Sequence, residues 1–128
     1  MKLLVDTHTA LWWVDEYAKL SPKARELLLD EECVLYISIA SIWEIAIKSS
    51  LGKLPRFNGG IRKFLTKTEE MPVNLIPITP RHVEIVETLP FIHRDPFDRL
   101  LVATAKADGM TILTADENIH KYDVPWVW

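Results

Sequence analysis

Short apolar runs alternate with helical patterns along the 128 residues, and that alternation predicts an α/β domain around a mostly parallel sheet. Two further observations agree. The apolar fraction is 48% and the charged fraction 26%, the balance of an ordinary soluble globular chain with enough length to bury a core. No repeat, low-complexity tract or linker divides the chain, so residues 1–128 are read as one domain.

The elements follow in order. Lys2 to Val5 is a short apolar strand ending at Asp6, and residues 8–15 read as helix. Ser21-Pro22 starts a second helix, a cap followed by proline in the first turn, with Ala24, Leu27 and Leu28 at helical spacing. Cys33 to Ile37 is β-branched and aromatic, a buried strand. A helix runs from Ser41 to Leu51 and stops at Gly52; after the Asn58-Gly59-Gly60 loop another covers 61–69. Leu75 to Ile78 is read as a short strand that Pro77 weakens, and Thr79-Pro80 opens a helix ending before Pro90. The motif HRDPFDRLLVATA then enters a helix from Pro96 to Asp108, stopped by Gly109. Thr111 to Leu113 and Trp126 to Trp128 supply the last strands.

Composition narrows the class. One cysteine, Cys33, cannot form an intramolecular disulfide; it opens an apolar stretch and is read as a small buried residue in a reducing compartment. MKLLVDT is a strand rather than a secretion signal, and no apolar run approaches the roughly 20 residues of a membrane span. A cytoplasmic protein is expected. The net charge of -3 argues against a nucleic-acid binder, but its distribution does not. Between Glu44 and Glu69 there is no acid, while Lys48, Lys53, Arg56, Arg62, Lys63 and Lys67 form a basic zone. A phosphate-binding face and a merely solvated pair of helix ends both fit.

In parallel sheets, ligands collect beyond the carboxyl ends of the strands. Four acids map there. Asp6 follows the first strand, Glu44 interrupts the apolar IASIWEIAI, Asp98 sits in the first turn of the Pro96 helix, and Asp116 follows the Thr111 strand. Crowded carboxylates raise one another's pKa unless a cation neutralises them, and hard oxygen ligands suit Mg²⁺ or Mn²⁺. Duller roles exist. Asp6 fits a turn start before a cap at Thr7 or Thr9, and Asp116 in TADEN fits an Asx turn. Asp95 and Asp98 separate by reach: Asp95 before Pro96 is placed as the helix cap, leaving Asp98 to the site. Arg94 and Arg99 flank these acids, to pair with substrate phosphate or to balance the carboxylates. His8, His82, His93 and His120 lack the close spacing of a zinc site. Trp12 and Trp13, adjacent on one helix, cannot both face inward comfortably, so one is expected at a dimer or partner surface.

LLVDTHTALWW, ASIWEIAIKSSLGKL, HRDPFDRLLVATA and TILTADENI, in this order and spacing, resemble the PIN-domain ribonucleases, specifically the VapC-type toxins of toxin–antitoxin pairs. The resemblance covers essentially the whole chain. It implies a parallel sheet of about five strands between helices, Mg²⁺- or Mn²⁺-dependent cleavage of RNA, inhibition by a small antitoxin, and homodimerisation. It places the family's acids on Asp6, Glu44, Asp98 and Asp116, with Asp116 at the most variable position, and it likens Thr114 to a supporting hydroxyl. Asp6 and Asp98 would hold the principal metal and Glu44 and Asp116 complete the ring, so that a water attacks the phosphate in line. The family's expected products are a 5′-phosphate and a 3′-hydroxyl. Setting the four acids aside from the 18 leaves 14 against 15 bases, which answers the objection from net charge. Lys48, Lys53, Arg56, Arg94 and Arg99 are the candidate RNA contacts.

Rival classes fare worse. A receiver-like signalling domain would want adjacent acids after the first strand, where Thr7 follows Asp6; a haloacid-type phosphatase would want an aspartate where His8 stands. The surviving alternative is a non-catalytic PIN-fold module that only binds a partner.

Overall fold

The computed structural model describes residues 1–55 and 57–128. Five strands form one sheet in the order β3-β2-β1-β4-β5, and each neighbouring pair is parallel. The strands are β1 (Lys2–Val5), β2 (Val34–Ser38), β3 (Val73–Ile76), β4 (Thr111–Leu113) and β5 (Trp126–Val127). The helices are α1 (Thr7–Asp15), α2 (Pro22–Leu29), α3 (Ile39–Ser50), α4 (Gly60–Glu69), α5 (Pro80–Thr88), α6 (Pro96–Asp108) and the single turn α7 (Glu117–His120), with a 3₁₀ turn at Tyr17–Lys19. The expected α/β class and parallel sheet are both observed.

Successive side chains of a strand face opposite sides, and β1 divides the core in that way. Leu3 and Val5 join Leu35, Ile37 and Leu113 against Ala10, Leu11, Leu27, Leu28, Ile45 and Phe64 of α1 to α4. Leu4 joins Ile112 on the other face against Leu101, Val102 and Ala105 of α6, with Ile119 and Tyr122 beyond it. Both faces of β1 are thus buried, which explains its unbroken apolar run.

From β1 the chain steps outward to β2 and β3, then returns past β1 to place β4 on its other side. The connections leaving β1 and β4 run to opposite faces, α1 on one and α7 on the other. A crevice opens at such a reversal, outside the carboxyl ends of the two strands. Asp6 follows one strand and Thr114 the other.

Several element boundaries differ from expectation, among them that of β2, which is Val34–Ser38 rather than Cys33 to Ile37. β3 is Val73–Ile76 rather than Leu75 to Ile78: Pro77 has no N–H to give the β2 ladder, which ends at the Ser38–Ile76 pair. α3 starts at Ile39, not Ser41, because the Ser38 hydroxyl accepts from the Ala40 N–H at 3.0 Å. The 3₁₀ turn and α7 are too short to leave a periodic pattern. At the end of α6, Gly109 adopts φ 65°, the left-handed cap its sequence position predicts. Trp12 and Trp13 are both half-buried, and Trp12 packs on Trp128 at 5.8 Å; the tryptophans left exposed are Trp43 and Trp126.

Candidate metal centre

The crevice between β1 and β4 is built from helix starts. Asp6 is the N-cap of α1: its Oδ1 accepts the Thr9 N–H at 2.9 Å. Asp116 caps α7 through the Asn118 N–H at 2.8 Å. So the acids themselves cap, in place of the cap at Thr7 or Thr9. Thr114 ties the two ends together. Its hydroxyl donates to Asp6 Oδ2 and accepts the Asp116 N–H at 3.0 Å, so both of its roles are used and it is fully buried.

Glu44 comes from the second turn of α3 and is only 2% exposed. Such a carboxylate needs partners. The Thr7 hydroxyl donates to Oε1 at 2.6 Å and the Lys48 ammonium to Oε2 at 2.6 Å, while Ser41 shares a 3.0 Å hydrogen bond with Thr7. Thr7 follows Asp6 directly, so this contact sets α3 against the start of α1. Burial works to lower the Lys48 pKa, but the Glu44 hydrogen bond and the charges of Glu44, Asp95 and Asp98 outweigh it and raise it.

Asp98 completes the group. Asp95 caps α6, accepting from the Phe97 and Asp98 N–H groups at 2.9 and 3.1 Å, as its place before Pro96 predicts. With the cap supplied by Asp95, the Asp98 side chain is left to other partners, and its Oδ2 lies 3.1 Å from His93 Nε2. Burial, and after it the charges of Asp95, Asp116, Glu44 and Asp6, push the Asp98 carboxyl up to about 8. Burial likewise raises Asp6, against the opposing hydrogen bonds from Thr114 and Thr9. Four acids spread over 110 residues of sequence therefore share one electrostatic environment.

Among the described residues, no three histidine, cysteine or carboxylate groups close on one point tightly enough to cage an ion. The set is open. Mg²⁺ and Mn²⁺ fit such a set, since they take one or two carboxylates and fill the remaining positions with water or phosphate oxygens. A cation here would also relieve the repulsion that raises Asp98. A hollow of about 220 Å³ adjoins the acids, lined by Asp6, His8, Thr9, Trp12, Ala115 and Asp116. A second, of about 210 Å³, shares His8 and Trp12 and continues to Lys53 and Phe57.

The basic candidates divide. Arg94 and Lys53 are exposed, while Lys48 is committed to Glu44 and Lys63 to Asp15 at 3.0 Å. Arg56 lies outside the described residues. Arg99 is a correction. It is 7% exposed and its guanidinium donates inward, to the carbonyls of Pro90 and Val86 and to the Tyr122 hydroxyl, so neither expected role holds. Adjacent helix residues point about 100° apart, and Arg99 faces α5 while Asp98 faces the crevice. Thr7, Ser41 and Tyr122 were not singled out from the sequence as site partners, and His93 is expected from it only to approach the carboxyl edge of the sheet, with no catalytic role. Two left a signal: Thr7 adjoins Asp6, and His93 stands five residues before Asp98 in the same motif.

The PIN domain family profile matches residues 3–125. Ribonuclease VapC22 of Mycobacterium tuberculosis (strain ATCC 25618 / H37Rv) is 27% identical over 124 residues, covering 96% of this chain and 93% of that protein. VapBC2 from Rickettsia felis, solved bound to a DNA fragment from its promoter, superposes with a TM-score of 0.75 at 13% identity, over 99% of this chain and 98% of that one. A toxin–antitoxin complex from Klebsiella pneumoniae superposes with a TM-score of 0.56 at 17% identity, over 98% and 96%. These two likenesses show the fold. No helix among the described residues is long and apolar enough to cross a membrane.

Proposed function

The chain belongs to the PIN-domain family, and from that membership and the geometry of its acids we propose that it is a Mg²⁺- or Mn²⁺-dependent endoribonuclease, the toxin of a toxin–antitoxin pair. One observation carries the reading: Asp6, Glu44, Asp98 and Asp116, from four separate helices or helix caps, gather at the crevice where strand order reverses, where burial and neighbouring acids, Asp95 among them, raise the Asp98 carboxyl. A structural site gains nothing from unneutralised carboxylates, whereas a cation-dependent one does. The ribonuclease name of the relative from M. tuberculosis points the same way.

Asp98 and Asp6 would hold the metal, with Glu44 and Asp116 acting directly or through water. A divalent ion bound there supplies Lewis acidity, lowering the pKa of water and offsetting charge on the scissile phosphodiester. The chain's own groups do the rest. Thr114 holds Asp6 and the start of α7 at a fixed spacing; Thr7 and Lys48 hold the Glu44 carboxylate oxygens in place. Lys53, which lines the second hollow, and Arg94 are exposed and would meet the phosphates of an RNA strand. A 5′-phosphate and a 3′-hydroxyl are the products that the family resemblance implies, with water rather than the 2′-hydroxyl as the attacking group. A small antitoxin partner, a homodimer and a cytoplasmic setting belong to the same reading; solved complexes of the fold include a toxin–antitoxin pair.

The test is cleavage of total cellular RNA by purified protein in Mg²⁺ or Mn²⁺, in EDTA, and as Asp98→Asn. Discrete products that need metal and vanish in the variant support the proposal. Intact RNA with folded, metal-loaded, antitoxin-free protein would instead support a module that only binds a partner.

A further inference from the structure

Three hydrogen bonds link Arg99 to Asp98 through Tyr122 and His93. Arg99 has only N–H donors, and one of them reaches the Tyr122 hydroxyl oxygen at 3.1 Å. That oxygen accepts from the guanidinium, which leaves its own hydrogen for its other neighbour, His93 Nδ1, at 2.8 Å. In the tautomer where Nδ1 accepts from Tyr122, Nε2 is the ring's N–H donor. Nε2 faces Asp98 Oδ2 at 3.1 Å. In that tautomer polarity passes from a cation that cannot become an acceptor, through Tyr122 and His93, to one oxygen of one acid.

The anchor is firm. Two further Arg99 donors hold the Pro90 carbonyl at 3.0 Å and the Val86 carbonyl at 3.3 Å, and Tyr122 is 4% exposed. The His93 ring also meets the Tyr122 ring edge to face, at 5.5 Å between centroids. His93 lies in the segment before α6 and Tyr122 in the segment after α7, so the chain of bonds spans the second face of the sheet.

We infer that Arg99, Tyr122 and His93 are positioning residues that occupy Asp98 Oδ2 and present Oδ1 to the divalent cation. The inference rests on the proposed metal-dependent reading and adds three residues that it lacked. Ligating carboxylates held by an outer hydrogen bond lose about 10- to 100-fold in metal affinity when that bond is removed.

Mn²⁺ affinity, read from the loss of the free-ion EPR signal, tests it without reference to cleavage. Four variants are compared with the wild type: Asp98→Asn, His93→Leu, His93→Gln and Tyr122→Phe, each checked for folding by circular dichroism in EDTA. The expected result is a loss of about 10- to 100-fold for His93→Leu and a smaller one for Tyr122→Phe. His93→Gln should recover most of the affinity, because its side-chain amide N–H reaches the place of Nε2. Should His93→Leu fail to fold, Tyr122→Phe, which keeps the buried ring, decides. Wild-type affinity in both His93→Leu and Tyr122→Phe, with affinity lost in Asp98→Asn, overturns the relay and leaves the metal site standing. Wild-type affinity in Asp98→Asn overturns the metal site and the relay with it.

Discussion

Asp98→Asn removes a carboxyl that the folded chain can ionise only at a loss. The carboxyl stands at about 8 in the fold against 3.8 for the ordinary group, through burial first and then Asp95, Asp116, Glu44 and Asp6. Between those two values the folded chain keeps a proton that the unfolded chain has given up. Stability from this group is therefore greatest below the unfolded value and declines as pH rises towards the folded one. At about 1.36 kcal/mol per tenfold shift, the decline reaches roughly 5 kcal/mol by about pH 8, large beside the 5–15 kcal/mol of a typical domain. Asparagine keeps the shape and still accepts from His93, but it has no charge to bury. Urea unfolding in EDTA, followed by tryptophan fluorescence, measures the difference. The variant should exceed the wild type by about 2–5 kcal/mol near pH 8 and match it within about 1 kcal/mol near pH 4. Equal stabilities at both pH values, or a less stable variant near pH 8, would refute the account of the crowded acids.

Three other expectations are open to direct measurement. Thr114→Val removes the donor to Asp6 and the acceptor of the Asp116 N–H, and should cost about 2 kcal/mol in urea unfolding; a neutral effect would mean that the strand ends hold their spacing without it. Arg99→Lys cannot serve the Pro90 and Val86 carbonyls and Tyr122 together, so the melting temperature should fall, corresponding to about 1–3 kcal/mol. An unchanged melting temperature would return Arg99 to the surface contacts. Buried His82 accepts the Thr79 N–H at Nδ1 and bonds Asp108 through Nε2, joining α5 to α6. His82→Leu should destabilise the chain by about 2–3 kcal/mol, and hydrogen exchange should quicken in α5 before the sheet.

What the sequence discloses about this fold is mostly local. The strand ending at Asp6, the Ser21-Pro22 start and the Asp95-Pro96 cap are each decided within a few residues, and all three appear as expected. The grouping of the four acids was legible for a different reason: a parallel sheet gathers its strand ends on one edge, so order alone brings distant residues together. What stayed hidden depends on side-chain direction across space. Arg99 sits beside Asp98 in sequence yet belongs to the α5 side, and the partnership of His93 with Tyr122 crosses 29 residues. The cap at Asp116 was foreshadowed by its Asx-turn chemistry, but the helix it starts is one turn long and carries no period.

The site acids differ in what the fold asks of them. Asp6 and Asp116 each hold a helix end, so a replacement there must also supply a cap. Asp98 caps nothing, and its charge weakens the unliganded fold. A lineage under pressure to silence the site while keeping the folded protein has an uneven set of exits. Exchanging Asp98 for a small neutral residue ends the acid cluster and relieves the chain at the same stroke, and that is the door through which inactive descendants of this chain should most often leave.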